Sequence, residues 1–153
     1  MTKKHLAMAA LAAATLAAPA AQAKTLTGIG ITVGSLGNPF FVAIANGATA
    51  AAKTINPDVR VITTASDYDL NKQFTQIDNF ISAGVDLILI NAADPVAIAP
   101  AVRKAEAAGI TVVAVDVAAQ GASATVMTDN TKAGELACQV IADRLHGLSL
   151  IHI

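Results

Sequence analysis

The chain has 153 residues, 54% hydrophobic, 3% aromatic and 14% charged, a balance too apolar for a disordered chain and a size that fits one domain or part of a larger one. A formal net charge of -1 with no Lys/Arg cluster excludes nonspecific nucleic-acid binding, which needs a basic surface to displace phosphate counterions. The single cysteine, Cys138, excludes an internal disulfide framework and a multi-cysteine metal site.

Lys3 and Lys4 precede an apolar run over 6–18, and Ala21-Gln22-Ala23 has the small-x-small pattern that a signal peptidase accepts. Residues 1–23 are therefore expected to be a cleaved export signal, with the mature chain starting at Lys24. The run of about 13 residues falls short of the roughly 20 that span a bilayer, and no other segment is long enough to span one. The mature chain is expected to be exported, soluble and mildly acidic.

Apolar runs then recur at 28–33, 59–63, 86–90 and 111–115. Within them Ile88, Leu89 and Ile90, or Val112 and Val113, are consecutive, as expected for parallel strands covered on both faces. The intervals carry helical periodicity in Phe41, Ile44, Ala45, Ala48 and Ile55, in Leu70, Phe74, Ile77 and Ile81, and in Ile98, Ala101, Val102 and Ala105. Asn38-Pro39 and Asp94-Pro95 each put a capping side chain before a proline at the first helical position. Gly84 and Gly109 fall just past helix ends, where left-handed backbone is common. The alternation β-α-β-α-β-α-β predicts a doubly wound α/β parallel sheet with right-handed crossovers.

Past Asp116 the character changes. Residues 117–123 read as a loop and 124–127 as a short extended crossing. Asp129-Asn130 reads as the cap of a helix running to about His146. That helix, with Leu136, Val140 and Ile141, has no following element to pack beside, and the apolar tail 148–153 reads as an interruption of the native frame. The expected organisation is an export signal at 1–23, a first α/β lobe at 24–121, a hinge crossing at 122–128, the start of a second lobe at 129–147 and a non-native tail at 148–153.

Ligands of open α/β sheets bind outside the carboxyl ends of the strands. The residues leaving those ends are Gly34, Ser35, Gly37, Asn38, Pro39, Phe40 and Phe41 after the first strand, Ser66, Asp67 and Asp69 after the second, Asn91 after the third and Asp116 after the fourth. Adjacent helical residues point about 100° apart. Phe41 therefore fits the core stripe, and Phe40 faces the cleft or solvent. An aromatic face beside amide and carboxylate groups suits a sugar, whose C–H face is apolar and whose rim is a ring of donors and acceptors. The competing reading is that both rings are ordinary packing. Asp69 and Asp94 are explained as caps, whereas Asp116 ends an apolar strand with no immediate helix to cap, and its carboxylate can accept from two ligand hydroxyls.

These residues resemble the ribose-type periplasmic sugar-binding proteins of ABC importers, two-lobed members of the type I periplasmic binding protein family. The resemblance rests on Asn38-Pro39-Phe40-Phe41 after the first strand, Asn91 after Leu89-Ile90, Asp116 after Val113-Ala114-Val115, and Thr128-Asp129-Asn130 at the entry to the next lobe. It implies that Asn38 and Asn91 hydrogen-bond sugar hydroxyls, that Phe40 and Phe41 stack on the ring, and that Asp116 takes adjacent hydroxyls. It further implies a non-enzymatic periplasmic protein, monomeric at full length, that needs no cofactor and hands a monosaccharide or polyol to a membrane permease. Ribose binders typically carry an arginine where this chain has Val117 and often a serine where it has Gly34, so the sugar itself is left open. The family also runs to roughly twice the length of the mature chain, so weak or undetectable binding is expected of this segment alone.

Three other readings compete with this one. A dinucleotide-dependent oxidoreductase would need its glycines to follow the strand and open the helix, but Gly28 and Gly30 fall before or inside it. No catalytic constellation is visible, since His5 leaves with the signal, His146 and His152 lie in or near the tail, and Cys138 reads as a small buried residue. A sugar-responsive repressor would need a DNA-binding motif where the export signal stands. A ligand-binding component for a chemoreceptor or sensor kinase fits the same residues.

Overall fold

The structure is a computed structural model that describes residues 25–145. The expected export signal, the tail at 148–153, and His5, His146 and His152 lie outside the described residues. In chain order the elements are β1 (Gly28–Val33), α1 (Pro39–Ile55), β2 (Arg60–Ala65), α2 (Leu70–Ser82), β3 (Leu87–Ile90), α3 (Ala99–Ala107), β4 (Thr111–Val115), β5 (Ala124–Val126) and α4 (Asn130–Leu145). All strand pairs are parallel, in the order β2-β1-β3-β4-β5. The segment expected as an extended crossing is thus in part an edge strand, with Ala124 beside Val113 and Val126 beside Val115.

Consecutive apolar residues in the strands serve two separate cores. Ile29, Ile31 and Val33 of β1 pack with Phe41, Ala45 and Ala52 of α1, joined by Leu87 and Leu89. On the other face Ile88, Ile90, Val112 and Ala114 pack with Ile77 and Phe80 of α2 and with Ala101, Val102 and Ala105 of α3. Gly30 lies inside β1, not in a helix-opening turn, and a Cβ there would stand 2.5 Å from the Phe80 ring. Its missing side chain is what lets that ring lie on the sheet.

Several local expectations shift. β2 begins one residue later than expected and runs to Ala65, which pairs with Val33. Asp86 lies outside β3, and its Oδ2 accepts from the Thr27 N–H and hydroxyl at 2.7 Å each and from the Gly28 N–H at 3.0 Å. Asn38 and Pro39 cap and open α1 as read. Asp94 does not open α3: its Oδ1 accepts from Val96 N–H at 2.9 Å and Ala97 N–H at 2.8 Å and closes a separate turn, and the helix starts at Ala99 with Pro100 in its first turn. Gly84 (φ +65°) and Gly109 (φ +77°) do take the left-handed conformation that ends α2 and α3.

The stripe of α2 is rotated from the expected one. Gln73, Gln76, Ile77 and Phe80 are buried, while Leu70, Phe74 and Ile81 are only partly so. Ile55, the last residue of α1, is exposed, beyond the reach of the core. Asp129 caps α4 by accepting the Lys132 N–H at 2.9 Å. No α4 residue is buried, so Leu136, Val140 and Ile141 are exposed and Cys138, expected to be buried, is exposed as well.

Candidate functional site

The order 2-1-3-4-5 reverses between β1 and β3, because β1 connects outward to β2 while the chain later returns on the opposite side of β1. At such a switch point the loops diverge and open a crevice beyond the strand ends. Phe40, Asn91 and Asp116 leave the sheet there, from β1, β3 and β4.

The β1–α1 junction sets the aromatic face. Asn38 Oδ1 accepts the Phe40 N–H at 3.0 Å, and the Asn38 carbonyl accepts from Phe41 and Val42 at 3.1 and 3.2 Å. With its side-chain oxygen engaged in the cap, Asn38 has its amide N–H groups to offer a ligand. Pro39 follows at the first helical position, so Phe40 and Phe41 leave α1 in divergent directions. Phe41 is 6% exposed and Phe40 is 52% exposed, their rings meeting edge to face at 5.3 Å.

Asp116 ends β4 in a left-handed conformation, φ +67°, which a non-glycine residue holds only when its surroundings fix it. Its N–H donates to the Val126 carbonyl on β5 at 2.8 Å, and the next N–H, of Val117, turns back to the Val115 carbonyl at 2.8 Å. The carboxylate is held from β3: Asn91 Nδ2 donates to Asp116 Oδ2 at 3.0 Å and to the Val115 carbonyl at 3.3 Å. Asn91 is buried and engages its amide protons within the protein, which leaves Oδ1 as its direct means of meeting a ligand. Val117 packs against the core on the α2 and α3 face.

Phe40 and Ile44 of α1, Val115 and Asp116 at the end of β4, Val126 at the end of β5 and Met127 and Thr128 just after it line an open concavity of about 260 Å³. The size is just below the ~300–1,000 Å³ of sites that surround a small ligand, and the lining joins one carboxylate to an otherwise largely apolar wall. The structure thus places Phe40 and Asp116 in one cavity and Asn91 behind Asp116. Phe41 lies beneath, in the α1 core, and Asn38 lies at the helix cap.

Sequence reasoning missed Ile44, Val126, Met127 and Thr128 as walls, and it passed over Tyr68. Asp67 (φ +54°) and Tyr68 (φ +61°) are both left-handed, and the exposed Tyr68 ring lies edge to face on Phe41 at 6.3 Å. Lys72 pairs with Asp67 across this loop. The signal for Tyr68 was compositional, since it is the sole tyrosine in the sequence and stands at a strand's carboxyl end. Among the described residues no three His, Cys, Asp or Glu side chains are grouped to hold a metal ion, and no helix is long and apolar enough to cross a membrane.

A parallel sheet that opens at its switch point beside an aromatic ring and a fixed carboxylate is an α/β arrangement of the kind at which small ligands bind. The chain belongs to the periplasmic binding protein domain family, whose model matches residues 29–150. It is 42% identical over 119 residues to the ribose import binding protein of Bacillus subtilis, covering 76% of this chain and 38% of that protein. It is 45% identical over 105 residues to the D-apiose import binding protein of Paraburkholderia graminis, covering 66% and 32%. Among solved structures, an ABC transporter solute binding protein from Mycobacterium smegmatis with bound glycerol superposes with a TM-score of 0.71 at 32% identity, over 78% of this chain and 41% of that one. The chain therefore spans about two fifths or less of the length of these relatives.

Proposed function

We propose that the chain forms the first lobe of an exported, non-enzymatic binding protein that captures a monosaccharide or polyol and delivers it to the permease of an ABC importer. The observation that carries this reading is the pairing, in one concavity, of the exposed face of Phe40 with the Asp116 carboxylate held by Asn91. An apolar ring presents a stacking face to the C–H side of a sugar, and an acceptor-only carboxylate takes two of its hydroxyl donors. The relatives named for ribose and D-apiose import support the ligand class. Asn38, Phe40, Phe41, Asn91 and Asp116 are the proposed ligand residues, with Phe41 acting as the floor beneath Phe40.

On this reading residues 122–128 form the hinge crossing and 129–147 begin the second lobe, which supplies the opposite wall. The Asp116 N–H bond to Val126 ties the ligand carboxylate to that crossing. The differential affinity of the closed form for ligand then sets how far closure is driven. The export signal expected at 1–23 supports the periplasmic location, and membership of the family supports delivery to a permease.

The test is a thermal-shift panel of pentoses, hexoses and polyols on the signal-free protein expressed from its complete gene. A single-site ligand at one hundred times its dissociation constant adds about 2.7 kcal/mol of stability. A shift confined to one class, abolished by Asp116→Asn, is the expected result. No shift with any member, from a folded protein, overturns the sugar reading.

A further inference from the structure

Among the five buried polar residues of the described chain, the side chains of Thr32, Gln73 and Gln76 form one hydrogen-bonded chain that continues through the backbone carbonyl of Asn91. Behind the Asn91 bond to Asp116, Gln73 Nε2 donates to the Asn91 carbonyl at 2.9 Å and to Thr32 Oγ1 at 3.2 Å. Gln73 Oε1 accepts the Ala93 N–H at 2.9 Å, so one side chain clamps the backbone on both sides of Ala92. The Thr32 hydroxyl donates to Gln76 Oε1 at 2.7 Å, and Gln76 Nε2 donates to the Ala65 carbonyl at 2.8 Å. The chain visits the ends of β4, β3, β1 and β2 in the order in which those strands lie in the sheet, and no buried side-chain N or O among the described residues lacks a partner.

The two glutamines satisfy backbone groups at the strand ends, the Asn91 and Ala65 carbonyls and the Ala93 N–H, which an apolar side chain would leave unpaired, whereas the far half of α2 packs through Ile77 and Phe80. The glutamines stand only in the half of α2 next to the strand ends. An apolar residue at 73 would fill the space but release the Asn91 carbonyl and the Ala93 N–H, leaving the Asn91 N–H bond to the Thr32 carbonyl at 2.9 Å as the remaining backbone tie at that point.

We propose that Gln73 is a positioning residue for the ligand site. It fixes the backbone from Asn91 to Ala93 so that the Asn91 amide aims at Asp116 and holds that carboxylate in one orientation at the cavity wall. The inference rests on the reading of Asp116 as a ligand group, and it adds a residue on α2 that touches neither the cavity nor the ligand.

The experiment uses the protein from its complete gene and two readouts. Without ligand, 15N NMR follows solvent exchange of the Asn91 side-chain amide, assigned with Asn91→Ala. Gln73→Leu is expected to remove its protection, and retained protection overturns the proposal. Thr32→Val, which keeps volume and removes one of the two acceptors that orient Gln73, is expected to lower the same protection should Gln73→Leu fail to fold, and unchanged protection there overturns it too.

With D-ribose, D-glucose and xylitol as probes, Gln73→Leu is expected to weaken binding of the one retained about tenfold, the scale of one hydrogen bond. It should add nothing further in the Asn91→Ala background. An equal loss in both backgrounds means Gln73 acts by another route and overturns the proposal. If Asp116→Asn binds as the parent does, the ligand-site reading fails, while the exchange result still decides whether Gln73 orients Asn91.

Discussion

Gly34 and Tyr68 share one volume: a Cβ on Gly34 would stand 2.5 Å from Cε1 of Tyr68 and 3.2 Å from Cε2 of Phe41. The chain's glycine at the end of β1 is therefore matched to a tyrosine at the end of β2. Gly30 and Phe80 repeat the relationship deeper in the sheet, where the ring is 1% exposed.

The two glycines differ in how their neighbours can give way. Tyr68 is 61% exposed and can swing outward, so Gly34→Ser is expected to cost about 1 kcal/mol, with the Tyr68 ring displaced into solvent. The Phe80 ring is enclosed, so Gly30→Ala is expected to cost about 3 kcal/mol, the upper range for overpacking. Urea unfolding of both variants checks the ranking, and equal costs would contradict it.

Phe40 and Phe41 should separate binding from stability. Phe41→Ala removes a buried ring from the α1 core and is expected to lower stability by about 3–5 kcal/mol. Phe40→Ala is expected to leave unfolding nearly unchanged and to weaken sugar or polyol binding. Paired unfolding and calorimetric titrations read both quantities, and a large stability loss in Phe40→Ala would assign that ring to packing.

The left-handed backbone at Asp116 can be isolated with two substitutions that both remove the carboxylate. Asp116→Gly is expected to be more stable than Asp116→Ala by about 1–2 kcal/mol, the cost of a side chain at this φ. Neither should bind the sugar. Equal stability would show that the backbone relaxes when the Asn91 bond is lost.

Asp94 gives the pH dependence. The N–H groups of Ala97 and then Val96 bond its carboxylate and hold its pKa below the ordinary carboxylate value. A lowered folded-state pKa contributes stability that is complete above the unfolded value and is lost as pH falls through the folded one. The difference in stability between the parent and Asp94→Ala is therefore expected to be constant near neutrality and to shrink as the solution is acidified below the ordinary carboxylate pKa. A difference that does not change with pH would mean the ionised form is not what closes this turn.

The sheet was legible because doubly covered strands must be apolar on both sides, so Ile88 to Ile90 and Val112 to Val115 could hardly be anything else. The split of Phe40 from Phe41 followed from helix geometry and the Asn38-Pro39 start. The α2 stripe was misplaced because its buried face begins with Gln73 and Gln76, and hydrophobic periodicity cannot register a buried polar residue whose partners lie on other strands. Asp94-Pro95 looked like a helix start because a capped turn and a capped helix share the same first residues. The bond from Asn91 to Asp116 spans 25 residues of sequence, and nothing local encodes it.

The sequence holds one tyrosine and no tryptophan. Its ultraviolet emission beyond the phenylalanines therefore arises from the Tyr68 ring, which lies 6.3 Å from Phe41, itself 5.3 Å from Phe40. Within this sequence, any event that rearranges this row of rings reaches the emission of a single tyrosine, which reports how the loop after β2 sits on α1.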